Sequence, residues 1–365
     1  MKEGWEYKKI KEVGTVIGGT TPNTSNKEYW GGDNCWISPA ELDGSHYLYD
    51  SKKKITDKAV KEKNLKLLPV GTVILSSRAP IGKVTINKVP TYCNQGFKCV
   101  VCGKDLYNEF LYWWFWGHTN YLNSIGKGAT FVEISKTVVE NIEIPVPPLS
   151  EQQRIVSYLD SAFAKIDAVA KNAEDSLNEA KALFQSALTK MMEPKDGWKK
   201  KKLGEVLNLR RGHDLTHSQM EDGDIVVAGS NGPIGFHNVA TPISPCITIG
   251  RSGSVGSVNM YDKCWAHNTT LYIDDFKGNN PKYLYYILTS LNLAKLNSGS
   301  AVPTLNRNFI HPISIPFVKD VSKQKAIVAT LDSLKSKVDQ LQDNLSRTLT
   351  ECTALKQSIL RQTFE

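Results

Sequence analysis

Ser150-Glu151-Gln152-Gln153-Arg154-Ile155-Val156-Ser157-Tyr158-Leu159-Asp160 returns in the second half of the chain as Ser322-Lys323-Gln324-Lys325-Ala326-Ile327-Val328-Ala329-Thr330-Leu331-Asp332. Both stretches open a long run without Gly or Pro. After the first, apolar or small residues fall at Ile155, Leu159, Ala162, Ile166, Val169 and Ala173. The steps alternate between four and three, which is the seam of a heptad helix. The register slips after Ala173 and resumes near Leu177, Leu183/Phe184, Leu188 and Met191, as at a stutter. The second run is cleaner, with Ile327, Leu331, Leu334, Val338, Leu341, Leu345, Cys352, Leu355 and Ile359. At the first start, Ser150 is placed to cap the helix with Gln153 in a capping box. The second start has Lys325 at that box position. Each helix spans about 43 residues, roughly 65 Å at about 1.5 Å per residue. A stripe of that length outruns a small domain, so the two helices are expected to bury each other as an antiparallel pair, the alternative being that each packs on its own domain or on another chain.

Working outward, three more blocks repeat in the same order. Trp5-Glu6-Tyr7-Lys8-Lys9-Ile10-Lys11-Glu12-Val13 returns as Trp198-Lys199-Lys200-Lys201-Lys202-Leu203-Gly204-Glu205-Val206. Ile74-Leu75-Ser76-Ser77-Arg78, followed by Ile81-Gly82-Lys83-Val84, returns as Ile247-Thr248-Ile249-Gly250-Arg251, followed by Val255-Gly256-Ser257-Val258. Ile142-Glu143-Ile144-Pro145 returns as Ile313-Ser314-Ile315-Pro316. Four matches in register mark an internal repeat with a period of about half the chain. Each half has a globular part of mixed short strands and helices, then a long helix. Gly71 to Ser77 and Ile81 to Asn87 read as strands around a turn at Ala79-Pro80. Asn108 to Ser124 and Asn280 to Asn297 read as helices, the latter with Asn280 as N-cap and Pro281 at its first position. The expected fold is α+β: two similar globular domains, residues 1–148 and 198–317, separated by two long antiparallel coiled-coil helices within 149–197 and 318–365, with a pseudo-two-fold internal repeat.

Composition bounds the function. The 365 residues are 41% hydrophobic and 22% charged, ordinary for a folded chain, with a net charge of +8. The longest apolar run, Phe110 to Trp116, falls far short of the ~20 residues of a membrane span. Met1-Lys2-Glu3-Gly4-Trp5-Glu6 has no apolar h-region, so no signal peptide is expected. Seven cysteines, an odd number scattered from Cys35 to Cys352, read as reduced thiols of a cytoplasmic protein. Phosphate-loop, dinucleotide, zinc-protease and nucleophile-elbow motifs are missing, as is the Asn/Asp-Pro-Pro-aromatic tetrapeptide of amino-methyltransferases. Cys99-Val100-Val101-Cys102 lies in a strand-like run whose alternation turns its ends to opposite faces, so buried thiols are expected rather than a zinc site. His213 and His217 are spaced i,i+4 but lie in a loop-like stretch. The aromatic run at 110–116 is expected to be a core helix rather than a base-stacking platform, because its counterpart Tyr283-Leu284-Tyr285-Tyr286-Ile287-Leu288 lacks tryptophan.

The polar loops carry the candidate site. In the first half these are Thr20 and Thr21 beside Gly18-Gly19, Ser77, Arg78, Lys83, Asn94, Gln95, and Lys127 in Gly126-Lys127-Gly128-Ala129-Thr130. In the second half they are Arg210, Arg211, Ser230, Asn231, Arg251, Ser252, Ser254, His267, Asn268, Asn306 and Arg307. Such side chains contact phosphates and read base edges, and neighbouring glycines let a backbone approach closely. The same residues also make ordinary turns. Arg78 with Arg251, and Asn94-Gln95 with His267-Asn268, occupy matching places in the repeat. Charge has a similar partition: residues 1–148 hold 19 basic and 15 acidic side chains and 198–317 hold 12 and 8, while 149–197 and 318–365 carry −2 and +2.

Four stretches stand out together: Ile144-Pro145-Val146-Pro147-Pro148-Leu149-Ser150-Glu151-Gln152-Gln153-Arg154-Ile155-Val156, Ser77-Arg78-Ala79-Pro80-Ile81-Gly82-Lys83-Val84, Gly229-Ser230-Asn231-Gly232 and Ser298-Gly299-Ser300-Ala301-Val302-Pro303. In these the chain resembles the specificity (S) subunits of type I restriction-modification systems. In the second copy Phe317-Val318-Lys319-Asp320 replaces the Pro-Pro start. The resemblance implies two target-recognition domains, each reading half of a split asymmetric site in double-stranded DNA. It implies helices that act as a ruler and dock two methyltransferase (M) subunits, with two restriction (R) subunits joining. S-adenosylmethionine, ATP and Mg would sit on those partners and none on this chain, which would be a non-catalytic, cytoplasmic subunit with no membrane contact. Rival readings are the specificity partner of a type II fused nuclease-methyltransferase and a coiled-coil scaffold without a DNA role.

Overall fold

The protein is described by a computed structural model covering residues 4–78, 80–127, 132–296 and 304–364. It divides into two compact units, Met1–Asn172 with Arg347–Glu365, and Ala173–Ser346.

The first unit begins with strand β1 (Glu6–Lys9), a one-turn helix α1 (Ile10–Val13) and β2 (Gly14–Gly18). Then come β3 (Trp30–Ile37), β4 (Tyr47–Leu48), β5 (Lys53–Ile55), α2 (Asp57–Glu62), β6 (Val73–Ser76), β7 (Val84–Asn87), β8 (Thr91–Cys93) and β9 (Phe97–Cys102). Helices α3 (Asn108–Gly117), α4 (Thr119–Ile125) and α5 (Lys136–Glu140), strand β10 (Glu143–Val146) and the long helix α6 (Leu149–Met191) follow. The main sheet has the order β2-β9-β6-β7-β4, and a smaller one the order β5-β3-β8. β1 pairs antiparallel with β10, so two of the repeated blocks are sheet partners. The expected helix at 108–124 breaks at Gly117-His118. Gly117 has low helix propensity, and Leu360 Cβ would lie 3.2 Å from a side chain built there. The turn residue Ala79 lies outside the described residues, as do 128–131 and the 298–303 stretch.

The second unit repeats the plan. β11 (Lys199–Lys202), α7 (Leu203–Val206) and β12 (Asn208–Arg211) precede β13 (Ile225–Gly229), β14 (Gly232–His237), β15 (Cys246–Gly250), β16 (Val258–Tyr261), β17 (Cys264–Ala266) and β18 (Thr270–Asp275). Helices α8 (Pro281–Ser290) and α9 (Arg307–Ile310), strand β19 (Ser314–Phe317) and the part of helix α10 (Val321–Phe364) up to Ser346 complete it. Sheets of order β12-β18-β15-β16 and β14-β13-β17 match those of the first unit. β11 pairs with β19 as β1 does with β10. The parallel pair β13–β17 matches β3–β8. Even single bonds repeat: Ile10 N–H donates to Ile142 O at 3.0 Å and Leu203 N–H to Ile313 O at 2.9 Å. Asn280 caps α8 as expected, its side chain accepting from Tyr283 N–H.

The aromatic run of α3 is core. Phe110 through Phe115 are buried with Leu75, Val84 and Ile86 of the sheet. Ile155, Leu159, Phe163 and Ile166 of α6, and Leu360 and Phe364 of α10, complete that cluster. Within this unit the helix ends run antiparallel: Lys356 pairs with Asp167, Cys352 Sγ lies 3.8 Å from Ile166 O, and Phe364 packs on Phe110. In the second unit Leu188 joins Ile327, Val328 and Leu331 in one cluster with α8. Val169, Leu183, Leu341 and Leu355, expected in the seams, are exposed, while Phe163, Leu360 and Phe364 take core places. The buried faces follow the globular cores instead: Ile155, Leu159, Phe163 and Ile166 pack into the first cluster and Ile327, Val328 and Leu331 into the second, so burial along each helix is set by its domain and not by a heptad count alone.

The helix starts also differ from expectation. α6 opens at Leu149, with Glu151 N–H and Gln152 N–H donating to Pro148 O at 2.9 and 3.0 Å, and Ser150 lies inside it. Gln152, not Gln153, carries the polar anchor. It is fully buried, accepting from Tyr107 N–H at 2.8 Å and donating to Asp105 O at 2.9 Å and Pro147 O at 2.7 Å. Gln324 repeats this with Asn280 N–H, Asn279 Oδ1 and Val318 O. Asp320 caps α10, accepting from Ser322 N–H at 2.8 Å, which supplies the start that Pro-Pro gives α6. The expectation of seven reduced thiols is corrected: Cys246 and Cys264 form a disulfide, and Cys35, Cys93, Cys99, Cys102 and Cys352 are free. Strands β15 and β17 bring the first pair to a Cα separation of 6.0 Å, a proximity that their spacing along the chain does not announce.

Candidate nucleic-acid interface

Sheet register decides which loops meet. In the first unit Gly18 pairs with Lys98, Ser76 with Phe97, and Leu75 with Val84. β2 and β6 therefore end, and β9 and β7 begin, at one end of the sheet. Thr20-Thr21, Ser77-Arg78, Lys83 and Asn94-Gln95 all flank those strand ends, although they come from distant parts of the sequence. Thr21 Oγ1 donates to Gln95 Oε1, and Thr20 N–H to Cys93 O at 2.8 Å. Asn94 Oδ1 folds back on Gly96 N–H at 2.8 Å. Gly19 is pressed against this turn; a Cβ there would stand 1.9 Å from Asn94 O, so only glycine fits. Lys83 Nζ donates to Leu42 O at 2.7 Å.

Ser77 is buried, whereas Arg78 is exposed. The Arg78 guanidinium meets Glu133 Oε2 at 2.9 Å, and Lys98 Nζ meets Glu133 Oε1 at 3.0 Å. Lys98 is buried and also donates to Ser77 Oγ at 3.1 Å and Gln95 O at 3.2 Å. Burial pushes the Glu133 carboxyl up, but the hydrogen bonds and charges of Arg78 and Lys98 outweigh it and hold it below the usual carboxylate range. Lys127 pairs through its backbone with Glu133. Neither Lys98 nor Glu133 was a candidate from sequence. A lysine inside an apolar strand was the available signal, since such a residue needs a partner.

The second unit builds the same end. Arg211 pairs with Leu271, Gly250 with Thr270, and Ile249 with Val258. This gathers the chain after Arg210-Arg211, the Arg251-Ser252-Gly253-Ser254 turn and His267-Asn268. Gly212 occupies the place of Gly19: a Cβ would lie 2.1 Å from His267 O. Arg251 N–H donates to Thr269 O at 2.8 Å, and His267 N–H to Ala228 O at 3.1 Å, which brings the Ser230-Asn231 hairpin alongside. Asn268 donates to Asp214, which also receives Arg211 at 3.0 Å. The Asn268 bond, with Arg211 and His267 nearby, holds the Asp214 carboxyl below its ordinary range. Arg210 leans on Asp274 at 3.3 Å. Among the described residues no carboxylate pairs with the Arg251 guanidinium. His213 lies beside Tyr272 OH at 3.3 Å, and His217 in a separate short turn. Asn306 and Arg307 serve local structure: the Asn306 side chain caps α9, and Arg307 donates to Leu209 O at 3.2 Å.

Each cluster is thus a set of short polar loops gathered at one sheet end, with Arg, Lys, Asn, Gln, Ser and Thr in the first unit and Arg, Asn, Ser and His in the second. It suits contact with a long polar surface better than capture of a small molecule. Among the described residues no group of three or more His, Cys, Asp or Glu is placed to hold a metal, and no helix is long and apolar enough to cross a membrane.

Comparison with known proteins agrees with this picture. The family model for the type I restriction modification DNA specificity domain matches residues 2–179 and again 195–351. The MjaIX specificity subunit of Methanocaldococcus jannaschii is 38% identical over 60% of this chain, a match spanning 55% of that relative's length. The EcoprrI specificity subunit of Escherichia coli is 26% identical over 98% of this chain and 92% of its own. Among solved structures, one concerned with complex assembly and conformational transition of the type I R-M system superposes with a TM-score of 0.80 at 21% identity, covering 100% of this chain and 98% of that one. The HsdS subunit from Thermoanaerobacter tengcongensis gives 0.58, also at 21% identity, over 100% of this chain and 97% of its own. With a domain model matched twice in register with the internal repeat, the chain belongs to the type I restriction-modification DNA specificity family.

Proposed function

We propose that this chain is the non-catalytic, DNA-reading subunit of a type I restriction-modification complex. Each sheet-end cluster reads one half of a bipartite, asymmetric site in double-stranded DNA. The long helices set the unread spacer and dock two methyltransferase (M) subunits, to which two restriction (R) subunits add. S-adenosylmethionine, ATP and Mg belong to those partners. The observation that carries this reading is the convergence of equivalent polar loops at equivalent sheet ends in both units. Exposed Tyr158, Val169, Leu183, Leu341 and Leu355 on the helices leave apolar surface for protein docking. The excess of positive charge within the two globular parts fits a polyanionic partner.

Arg251 provides the test. Methylome sequencing of a host carrying R251A should show one half-site relaxed at one base pair and the other half-site unchanged. An unchanged methylation pattern would defeat base reading by this cluster. Uniform weakening across sequences would assign Arg251 to phosphate instead.

A further inference from the structure

We propose that Glu133 is a positioning residue for DNA reading: clamped from below by buried Lys98, it holds the Arg78 guanidinium in the pose that meets a base edge. The inference rests on the DNA-reading function proposed above.

Glu133 has one cation on each carboxylate oxygen, Lys98 at 3.0 Å and Arg78 at 2.9 Å. The two cations differ in exposure. The Lys98 side chain is 9% exposed, whereas that of Arg78 is 45% exposed. All three ammonium donors of Lys98 are used, on Glu133, Ser77 and Gln95. A buried lysine costs stability unless it is paired, and here its pairing fixes a second residue rather than reaching a ligand. The Glu133 backbone is fixed as well, by bonds to Lys127 in both directions and by the donation of its neighbour Ile134 to Ser77 O at 2.9 Å. The carboxylate is therefore a rigid post.

An arginine free in water loses rotamer freedom when it binds. Arg78 has part of that ordering built in. Its guanidinium keeps further N–H donors beyond those facing Glu133, in a planar fork that matches a guanine edge or a phosphate. Arg251, at the matching place in the second unit, has no such carboxylate among the described residues. The two readers are predicted to differ in this respect, which supplies an internal control.

The experiment uses the full chain assembled with the M subunits of its own system. Affinity is measured for duplexes bearing the methylated site and for duplexes with single base-pair changes in each half-site. E133Q should lower discrimination about tenfold at one base pair of one half-site and leave the other half-site unchanged. R78A should relax the same base pair, and the R78A/E133Q double variant should match R78A within about twofold. If R78A relaxes that position while E133Q does not, the role of Glu133 is overturned and the DNA-reading function stands. If E133Q costs a further factor on top of R78A, Glu133 acts on DNA by itself and positioning is overturned. Equal loss at both half-sites with E133Q would show a defect of folding or assembly and would also reject the proposal. No effect of R78A at either half-site would remove the DNA-reading role of this cluster, and the inference with it.

Discussion

Gln152→Met separates a structural anchor from a surface side chain of the same type one residue away. Methionine nearly matches the shape of glutamine but makes none of its strong hydrogen bonds. The substitution would leave Tyr107 N–H, Asp105 O and Pro147 O without their partner, at a fully buried position. A buried backbone group stripped of its partner costs about 1–3 kcal/mol, with carbonyls toward the low end. The three together predict a loss of about 3–5 kcal/mol, a large share of the stability of a typical domain. Six of the eight tryptophans lie in residues 1–148, so tryptophan fluorescence during urea unfolding reports chiefly on the first unit. The midpoint for Q152M should fall without a change of slope. Gln153 is exposed, and Q153M should leave the unfolding free energy within about 0.5 kcal/mol of the parent. Equal effects of the two variants, or a loss under about 1 kcal/mol for Q152M, would refute the reasoning that the buried glutamine ties the long helix to its domain.

Two more expectations follow from the second unit. His311 Nε2 accepts Leu209 N–H at 3.1 Å, and burial, then Arg307 and Lys277, lower its pKa against the opposing pull of Asp274. The unfolded chain therefore binds the proton first, and the stabilising contribution of neutral His311 should fade as pH drops below about 6.5 toward the lowered folded value; urea midpoints at about pH 7.5 and about pH 5.5 should differ less for H311N than for the parent, and an identical difference would remove His311 from the account. In G212A the new Cβ would collide with His267 O and Ala266 O; the turn must shift at a cost of about 1–3 kcal/mol, and binding assays on the assembled complex should lose discrimination in one half-site while the other is still read.

Much of the architecture is legible in residue pattern. The long helices announce themselves through apolar spacing, the aromatic run at 110–116 through its apolar density, and the α8 start through Asn280-Pro281. Less legible were features that depend on a partner far away in the chain. Ser150 and Gln153 have the residue types of a capping box, yet the Pro148 carbonyl and the buried Gln152 do the anchoring, because what matters is which face of the first turn meets the 105–107 loop. Val169 and Leu355 fit a heptad count, yet both are exposed, because burial along each long helix follows its packing on the globular core. Cys246 and Cys264 look unrelated until two sheets bring their strands together.

By itself the sequence determined that this protein has two related halves, each a mixed α+β domain followed by a long helix, with an excess of basic charge in the domains. These are properties of local periodicity and of repeated composition, which one dimension records in full. Only the tertiary structure decided that loops from four separate segments share one sheet end, that a lysine hidden in β9 grips Glu133 beneath Arg78, and that Arg307 serves a backbone carbonyl instead of the cluster. Strand register and burial bring such groups together, and both are set by packing between residues far apart in the chain.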